Sequence, residues 1–282
     1  MNLDILYEDQ DLIVINKPSS LVVNRSTTMK LETIADWLVK KFGEEYFTKD
    51  LWSTNLSYQK LIPQDFTDEF GDPLTIWQER SGIVHRLDKD TSGVLLLAKN
   101  PGSLLNLLAQ FKKRQTQKTY LALVHGQLLE KTGTINAPMS RNPHNRLKYA
   151  IDNNGRSAIT NYQVKQEFSS LNSATLQLIA QKNKLKINKV KELYQAGFSL
   201  VELYPKTGRT HQIRVHMTAM KHPLVGDQLY TGRKRSKLDA FWCHRQFLHA
   251  LSIEFVHPRT QKQMIQEAPL TEDLNEVLKL VL

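Results

Sequence analysis

Short apolar runs separated by polar turns open the chain. Leu3–Tyr7 and Leu12–Ile15 are two such runs, and the four polar residues between them predict a β-hairpin. Thr33 then begins a predicted helix, because Asp36 three residues later completes a capping box, and Gly43 ends it. The first part of the chain is therefore predicted to be a hairpin followed by an amphipathic helix.

Alternating and helical patterns continue along the chain. Predicted strands cover 83–87, 94–98, 118–126 and 199–204, and predicted helices start at Pro101 after Asn100, cover 211–220, and start near Thr271. The elements alternate irregularly, without a repeating βαβ period. This favours an α+β fold in which helices flank a mixed, mostly antiparallel central sheet. No linker composition interrupts the pattern, so residues 1–282 are predicted to form a single domain.

The amino-acid composition shows that the chain is basic. Its net charge of +10 and pI near 9.5 suggest a polyanionic partner, although charge alone fits a merely basic globular protein equally well. Residues 44–80 depart from this, since they carry −5 and leave +15 on the remainder. Seven aromatic residues in the same stretch predict an ordered insertion, with an acidic surface facing away from a polyanion. A second insertion is predicted at 182–192.

Several classes of protein are disfavoured. The lone cysteine, Cys243, rules out an intramolecular disulfide framework and is predicted to be structural. The N-terminus lacks a signal-peptide pattern, and no apolar run approaches the roughly 20 residues of a membrane span. A cytoplasmic protein that does not enter membranes is therefore expected.

The run from Gly82 to Gly93 places a carboxylate, Asp88, between two apolar segments predicted to be strands, with Thr-Ser-Gly turning the backbone between them. Such a carboxylate is rigidly aimed, as nucleophilic catalysis requires, although an isolated aspartate here would more simply stabilise a turn. Asp90 is expected to diverge from Asp88 and support that turn. His211 and His216, five residues apart, are expected to be hydrogen-bonding or core histidines rather than metal ligands.

Five segments, in order, resemble the RluA-type pseudouridine synthases, whose catalytic motif is matched by His85-Arg86-Leu87-Asp88. They are Asn16-Lys17-Pro18 with Leu21-Val22-Val23, Lys118 to Val124, Thr207 to Met217, His222 to Asp227, and Arg245 to Ala250. Ser19-Ser20, Asn24 and the loosely matching 139–154 depart from the family pattern, and no S4 RNA-binding domain is expected before the first motif. The resemblance implies the pseudouridine synthase fold, with a central catalytic cleft, in a stand-alone form.

The resemblance also implies roles for individual residues. Asp88 is the expected catalytic group, and Arg209 is expected to keep it ionised and oriented, with a surface arginine on a turn as the alternative. Tyr120 is expected to stack on the target base, with a core tyrosine as the alternative. Arg86 is expected to fill the space of the extruded nucleotide or to hold its phosphate, with a structural ion pair as the alternative.

The expected function is isomerisation of specific uridines in structured RNA, ribosomal or transfer RNA, by a cytoplasmic monomer that needs no metal or organic cofactor. Attack at C1′, addition to C6 of the base and a glycal route all remain open. The alternative is a noncatalytic RNA-binding or RNA-folding protein that retains the fold. Expected phosphate contacts are Lys112-Lys113-Arg114, Lys182 to Lys191 and Arg233-Lys234-Arg235, with a solvated surface as the alternative for each cluster.

Overall fold

The computed structural model describes residues 1–25, 32–63 and 71–282, which divide into two compact units. The first unit comprises Met1–Lys118 and Ala250–Pro269, and the second comprises Thr119–His249 and Leu270–Leu282. Each unit is described by itself. One domain with insertions at 44–80 and 182–192 stays a prediction.

The first unit combines antiparallel strands with helices. Its elements are β1 (Asp4–Glu8), β2 (Leu12–Lys17), α1 (Ile34–Phe42), α2 (Glu44–Thr48), α3 (Leu51–Thr54), α4 (Leu56–Gln59), α5 (Pro73–Arg80), β3 (Ser92–Ala98), α6 (Pro101–Lys112), β10 (Leu248–Val256) and β11 (Gln263–Glu267). The strand order is β1-β2-β3-β10, and β11 pairs with β10. All seven residues of β3 are buried, so this strand lies in the core of the unit.

The hairpin and the helix predicted for the start of the chain are confirmed. β1 and β2 form the predicted antiparallel hairpin, and the Asp9 carboxylate accepts hydrogen bonds from the backbone N–H groups of Asp11 and Leu12 at its turn. Helix α1 begins after Thr33 with the predicted capping box to Asp36. A cap of this kind contributes about 1 kcal/mol.

The stretch 44–80 is helical and packed in the residues that the structure describes. Phe47 stacks on Trp77 with their ring centroids 5.1 Å apart, and the Asn106 side chain of α6 donates to the Leu61 carbonyl oxygen at 2.6 Å. The ordered packing predicted from its aromatic residues is therefore seen in 44–63 and 71–80. The predicted acidic and aromatic contributions of 65, 66 and 68–70 lie outside the described residues.

The second unit contains a four-stranded antiparallel sheet, a small β-ribbon and helices. Its elements are β4 (Gln117–His125), β5 (Thr132–Asn136), β6 (Met139–Arg141), β7 (Tyr149–Ile151), β8 (Ile159–Phe168), α7 (Ser173–Asn183), α8 (Ile187–Tyr194), β9 (Phe198–Pro205), α9 (Gln212–Ala219), α10 (Arg233–Asp239) and α11 (Glu272–Leu278). The strand order is β4-β9-β8-β5, and β6 pairs with β7. The predictions for 118–126, 199–204, 211–220 and Thr271 are confirmed to within a residue or two.

Apolar clusters hold the second unit together, and two of them are large. One lies under α7, α8 and α11 and includes Phe198, Phe247 and the buried Cys243, as predicted for a structural cysteine. Burial raises the pKa of the Cys243 thiol to about 12, so the thiol stays protonated. The other lies between the β-sheet and α9. No described helix has the length and apolar character needed to cross a bilayer.

Candidate active site

The segment that precedes Asp88 differs from the prediction. Residues 83–87 are not a strand: Ile83 makes one isolated bridge to Leu97, and the Leu96 N–H donates to Nε2 of His85 at 3.1 Å. A side chain thus occupies the donor that a neighbouring strand would use, so no ladder forms. Val94 to Ala98, in contrast, lie within β3 as predicted.

The turn itself lies at Asp88–Thr91, not at Thr-Ser-Gly as predicted. The Thr91 N–H donates to the Asp88 carbonyl oxygen at 3.1 Å, and Ser92 already belongs to β3. Gly93 has φ +114°, and a Cβ there would collide with the Ala250 carbonyl oxygen of β10. The Asp88 side chain is half-buried at the start of this fixed turn.

A buried lysine holds the turn in place. Lys17 ends β2 with no exposed surface, and its ammonium donates to the carbonyl oxygens of Pro18, Leu21 and Lys89 at 2.7, 2.9 and 3.0 Å. A buried ammonium requires such partners, because an unsolvated charge is costly. Lys89 follows Asp88 directly, so Lys17 fixes the backbone that carries the carboxylate. Sequence reasoning gave Lys17 no such role.

His85 is held neutral beside this loop. Its Nε2 accepts the Leu96 N–H, so Nδ1 carries the proton, and its ring stacks on Phe111 with centroids 4.9 Å apart. Burial, with the charge of Lys118 as a second cause, lowers the pKa of His85 to about 3. The His85 Nδ1–H is therefore a fixed hydrogen-bond donor three residues from Asp88.

Lys118 is a second cation that sequence reasoning missed. Its half-buried ammonium lies 5.6 Å from the centroid of the Phe111 ring, and it has no carboxylate partner within the described part of the chain. Burial lowers the pKa of Lys118 to about 8. The side chain of Arg86, by contrast, is exposed and makes no ion pair with any described residue.

The second unit carries Tyr120 and Arg209. Tyr120 lies on β4 opposite Leu203 and packs, half-buried, against the cluster between sheet and α9. Arg209 follows β9, and its Nε donates to the Ser157 carbonyl oxygen at 3.2 Å. The predicted residues thus divide between the units: Arg86 and Asp88 share a loop of the first, and Tyr120 and Arg209 belong to the second.

Gln212 fixes the loop that presents Arg209. Its side-chain oxygen accepts from the Thr207 hydroxyl at 2.7 Å and from the Arg209 N–H at 3.0 Å. Its side-chain nitrogen donates to the Ile159 carbonyl and the Thr160 hydroxyl oxygens. The side chain is almost fully buried, so these bonds define one loop conformation.

The two histidines of this motif are hydrogen-bonded, as predicted. His216 is fully buried, with Nε2 at 3.1 Å from the Ala137 carbonyl oxygen and Nδ1 at 2.9 Å from the Thr160 hydroxyl. Its pKa is lowered by burial, so the ring is neutral. Nδ1 of His211 lies 2.9 Å from the Tyr230 hydroxyl.

One group in the first unit has the residue types of a metal site. Asp9, Asp11 and His257 bring ligand atoms within 4.8 Å of one another. Arg259 contacts both oxygens of the Asp11 carboxylate, at 2.6 and 2.8 Å, and His257 bonds Asp9 at 2.8 Å. Because the carboxylate oxygens already have partners, we interpret this group as an ion-pair network that joins two turns.

Comparison with known proteins agrees with this picture. The RNA pseudouridylate synthase family model matches residues 11–219. The ribosomal large subunit pseudouridine synthase D of Blochmanniella floridana is 32% identical, over 99% of this chain and 73% of its own length. An uncharacterised RNA pseudouridine synthase of Bacillus subtilis is 33% identical with the same two coverages.

A solved structure supports the same assignment. Human RNA pseudouridylate synthase domain containing 1 matches with a TM-score of 0.62 and 25% identity, over 95% of this chain and 83% of the human chain. The predicted α+β pseudouridine synthase fold, the resemblance to RluA-type enzymes and the isomerase function are confirmed at this level. The chain belongs to the RNA pseudouridylate synthase family.

Proposed function

We propose that this chain converts specific uridines of ribosomal RNA to pseudouridine, with Asp88 as the catalytic carboxylate. The observation that carries the proposal is the Asp88 turn, whose backbone is held by the fully buried Lys17 ammonium. A binding protein has no need of a rigidly mounted carboxylate facing a polyanionic ligand. The names of several relatives, ribosomal large subunit pseudouridine synthase D, support ribosomal rather than transfer RNA.

The reaction is an isomerisation, so no atoms are gained or lost overall. The N1–C1′ glycosidic bond breaks, the base rotates, a C5–C1′ bond forms, and a proton leaves C5 while N1 gains one. A carboxylate suits this chemistry because it can attack or stabilise an electron-poor anomeric carbon. Attack at C1′, addition at C6 and a glycal route each use Asp88.

Four further side chains complete the proposal. Arg209 is the proposed arginine of the substrate site, and Tyr120 stacks on the target base. Arg86, exposed beside the Asp88 turn, contacts the extruded nucleotide or its phosphate. Lys118 adds a phosphate contact, because its half-buried ammonium lacks a carboxylate partner in the described residues and RNA supplies anions. We further propose a cytoplasmic monomer that works without a metal or an organic cofactor.

Mapping pseudouridines in total RNA from cells with and without this protein tests the substrate. The proposal predicts that one or a few sites in large-subunit ribosomal RNA disappear when the protein is absent and return when it is restored. Loss of sites confined to transfer RNA would reject the ribosomal substrate while keeping the activity. An unchanged map would reject the proposed function.

A further inference from the structure

Two of the predicted basic clusters adjoin in the second unit. The C-terminal end of α8 and the helix α10 enclose a cavity of about 350 Å³, lined by Leu193, Tyr194, Thr231, Gly232, Arg233, Lys234, Arg235 and Leu238. The Arg235 guanidinium donates to the Leu193 carbonyl oxygen at 2.8 Å and fixes the two elements to each other. This cavity with its flanking lysines is called the α8–α10 cleft below.

The lysines of α8 extend one wall of the cleft. Lys189 precedes Leu193 by four residues, so it lies on the same stripe of the helix surface as a residue that lines the cavity, and Lys186 lies directly before the first residue of α8. Arg233 and Lys234 occupy the opposite wall, at the start of α10. Basic side chains therefore flank the cavity on both sides.

These cations are available to a ligand. Lys186, Lys189, Arg233 and Lys234 are exposed, and within the described residues only Lys189 has an acidic neighbour, the exposed Glu192 at 3.9 Å. An exposed pair at that distance contributes little. The cavity lining contains no acidic residue.

The buried carboxylate of α10 is not exposed to a ligand in the cleft. Asp239 has no exposed surface and is bonded to His125 at 2.7 Å and to the Tyr194 hydroxyl at 2.9 Å. The cleft therefore combines an apolar floor, from Leu193, Tyr194 and Leu238, with exposed cations at its rim. Apolar floors with basic rims suit nucleic-acid strands, whose bases present apolar faces and whose phosphates are anionic.

We propose that the α8–α10 cleft is a second RNA-binding site, which holds the phosphate backbone of substrate RNA outside the target nucleotide. The proposal rests on the proposed function for the identity of the RNA. Its chemical basis is the charge complementarity between a row of four cations and a polyanion. The site lies on α8 and α10, apart in sequence from the Asp88, Tyr120 and Arg209 motifs.

The test is a variant in which Lys186, Lys189, Arg233 and Lys234 are all replaced by Gln. Arg235 is kept, because it joins the two elements. Dissociation constants are measured across a salt series for a large-subunit ribosomal RNA fragment that contains the mapped uridine. Each lost phosphate contact lowers the slope of log affinity against log salt by about 0.7 to 0.9, so the slope should fall by about 3 and affinity by tenfold or more near 0.1 M salt.

A matched control removes the same net charge elsewhere, with Lys131, Lys165, Lys262 and Lys279 replaced by Gln. Three of these lysines are already paired, with Glu167, Glu202 and Glu276. The control should keep a nearly wild-type slope. An equal effect in both variants, or a wild-type slope in the cleft variant, would overturn the proposal.

Two further measurements separate the possible outcomes. A double variant, Arg233→Gln with Lys234→Gln, should show about half of the slope change. It keeps the proposal testable if the quadruple variant folds poorly. Competition by inorganic phosphate, without an effect of the variants on RNA affinity, would identify a small-anion site and reject the RNA site. Failure of wild-type protein to modify any uridine would reject the proposed function. The binding results would still show whether RNA binds at the α8–α10 cleft.

Discussion

Replacing Lys118 by Met should stabilise the protein and weaken its hold on RNA. The ammonium lies 5.6 Å from the Phe111 ring centroid, half-buried and without a carboxylate partner in the described residues. A side chain of similar length without charge fits this apolar setting better. A residue that lowers stability in this way is expected where function requires it.

The magnitude follows from the pKa of Lys118. The gap between about 8 in the folded protein and the ordinary 10.5 corresponds to a ceiling of about 3 kcal/mol. Because the side chain keeps some contact with water, we expect Lys118→Met to raise the free energy of unfolding by about 1 to 3 kcal/mol at pH 7.

The same pKa determines how the stability difference between Lys118→Met and the wild type changes with pH. Below pH 8 the amine is protonated in both the folded and unfolded states, so the full cost of burying the charge applies. Between about 8 and 10.5 the folded state releases its proton first, and wild-type stability gains relative to the variant. The advantage of Lys118→Met should therefore be largest at pH 7 and shrink towards pH 10.

The assay pairs urea denaturation at pH 7 and pH 10 with RNA binding across a salt series. Lys118→Met should lower the salt slope by about 0.7 to 0.9, the effect of one phosphate contact, and Lys118→Arg should restore it. A destabilised variant would refute the energetic reasoning. A stabilised variant with unchanged RNA binding would refute the functional role.

Four other outcomes are expected. Lys17→Met should lower the free energy of unfolding by about 2 to 4 kcal/mol and reduce turnover, because three carbonyl oxygens lose their donor. Unchanged urea denaturation and turnover rates would contradict the role of Lys17 in holding the Asp88 turn. Arg209→Ala should lower single-turnover rates about a hundredfold and affinity far less, with the exposed Arg146→Ala as control; a loss of affinity alone would assign Arg209 to binding. Gly93→Ala should cost about 2 to 4 kcal/mol in urea denaturation, since φ is +114° and the Ala250 carbonyl blocks the added Cβ; wild-type stability would show that the turn adapts. Activity on a prefolded stem-loop should persist with chelator, and its restoration only by a transition metal would contradict metal-independent catalysis.

Features that depend on neighbouring residues in the sequence were predictable. The capping box of Thr33 and Asp36, the end of α1 at Gly43 and the Asn100 cap of α6 all involve groups within a few positions of each other. Apolar alternation likewise located β4 and β9. Such signals act locally, so tertiary contacts had little to override.

Features that depend on distant partners were not predictable. Residues 83–87 have the apolar pattern of a strand, yet the His85 side chain takes a backbone donor of β3 and prevents pairing. Lys17 looks like the polar end of a strand, and only the fold shows its ammonium beneath the Asp88 turn. Lys118 and Gln212 were missed for the same reason, because a polar residue in an otherwise ordinary motif does not reveal that it is buried.

The family motifs located the candidate chemistry better than periodicity did. Asp88 was singled out by its motif, because an isolated turn aspartate would have been taken as structural. Its position at the start of a fixed turn agrees with the catalytic prediction, which stays a prediction until it is measured. The same holds for Arg86, Tyr120 and Arg209.

The most direct test of the central claim is the single-turnover rate of Asp88→Asn on the mapped RNA. The amide keeps the size of the carboxylate and removes its charge, so folding and most RNA affinity should remain, as in the surface control Asp4→Asn. We predict that Asp88→Asn lowers pseudouridine formation at least about a thousandfold, whereas Asp4→Asn keeps the wild-type rate. Substantial pseudouridine formation by a sequence-verified Asp88→Asn protein would contradict the assignment of Asp88 as the catalytic group.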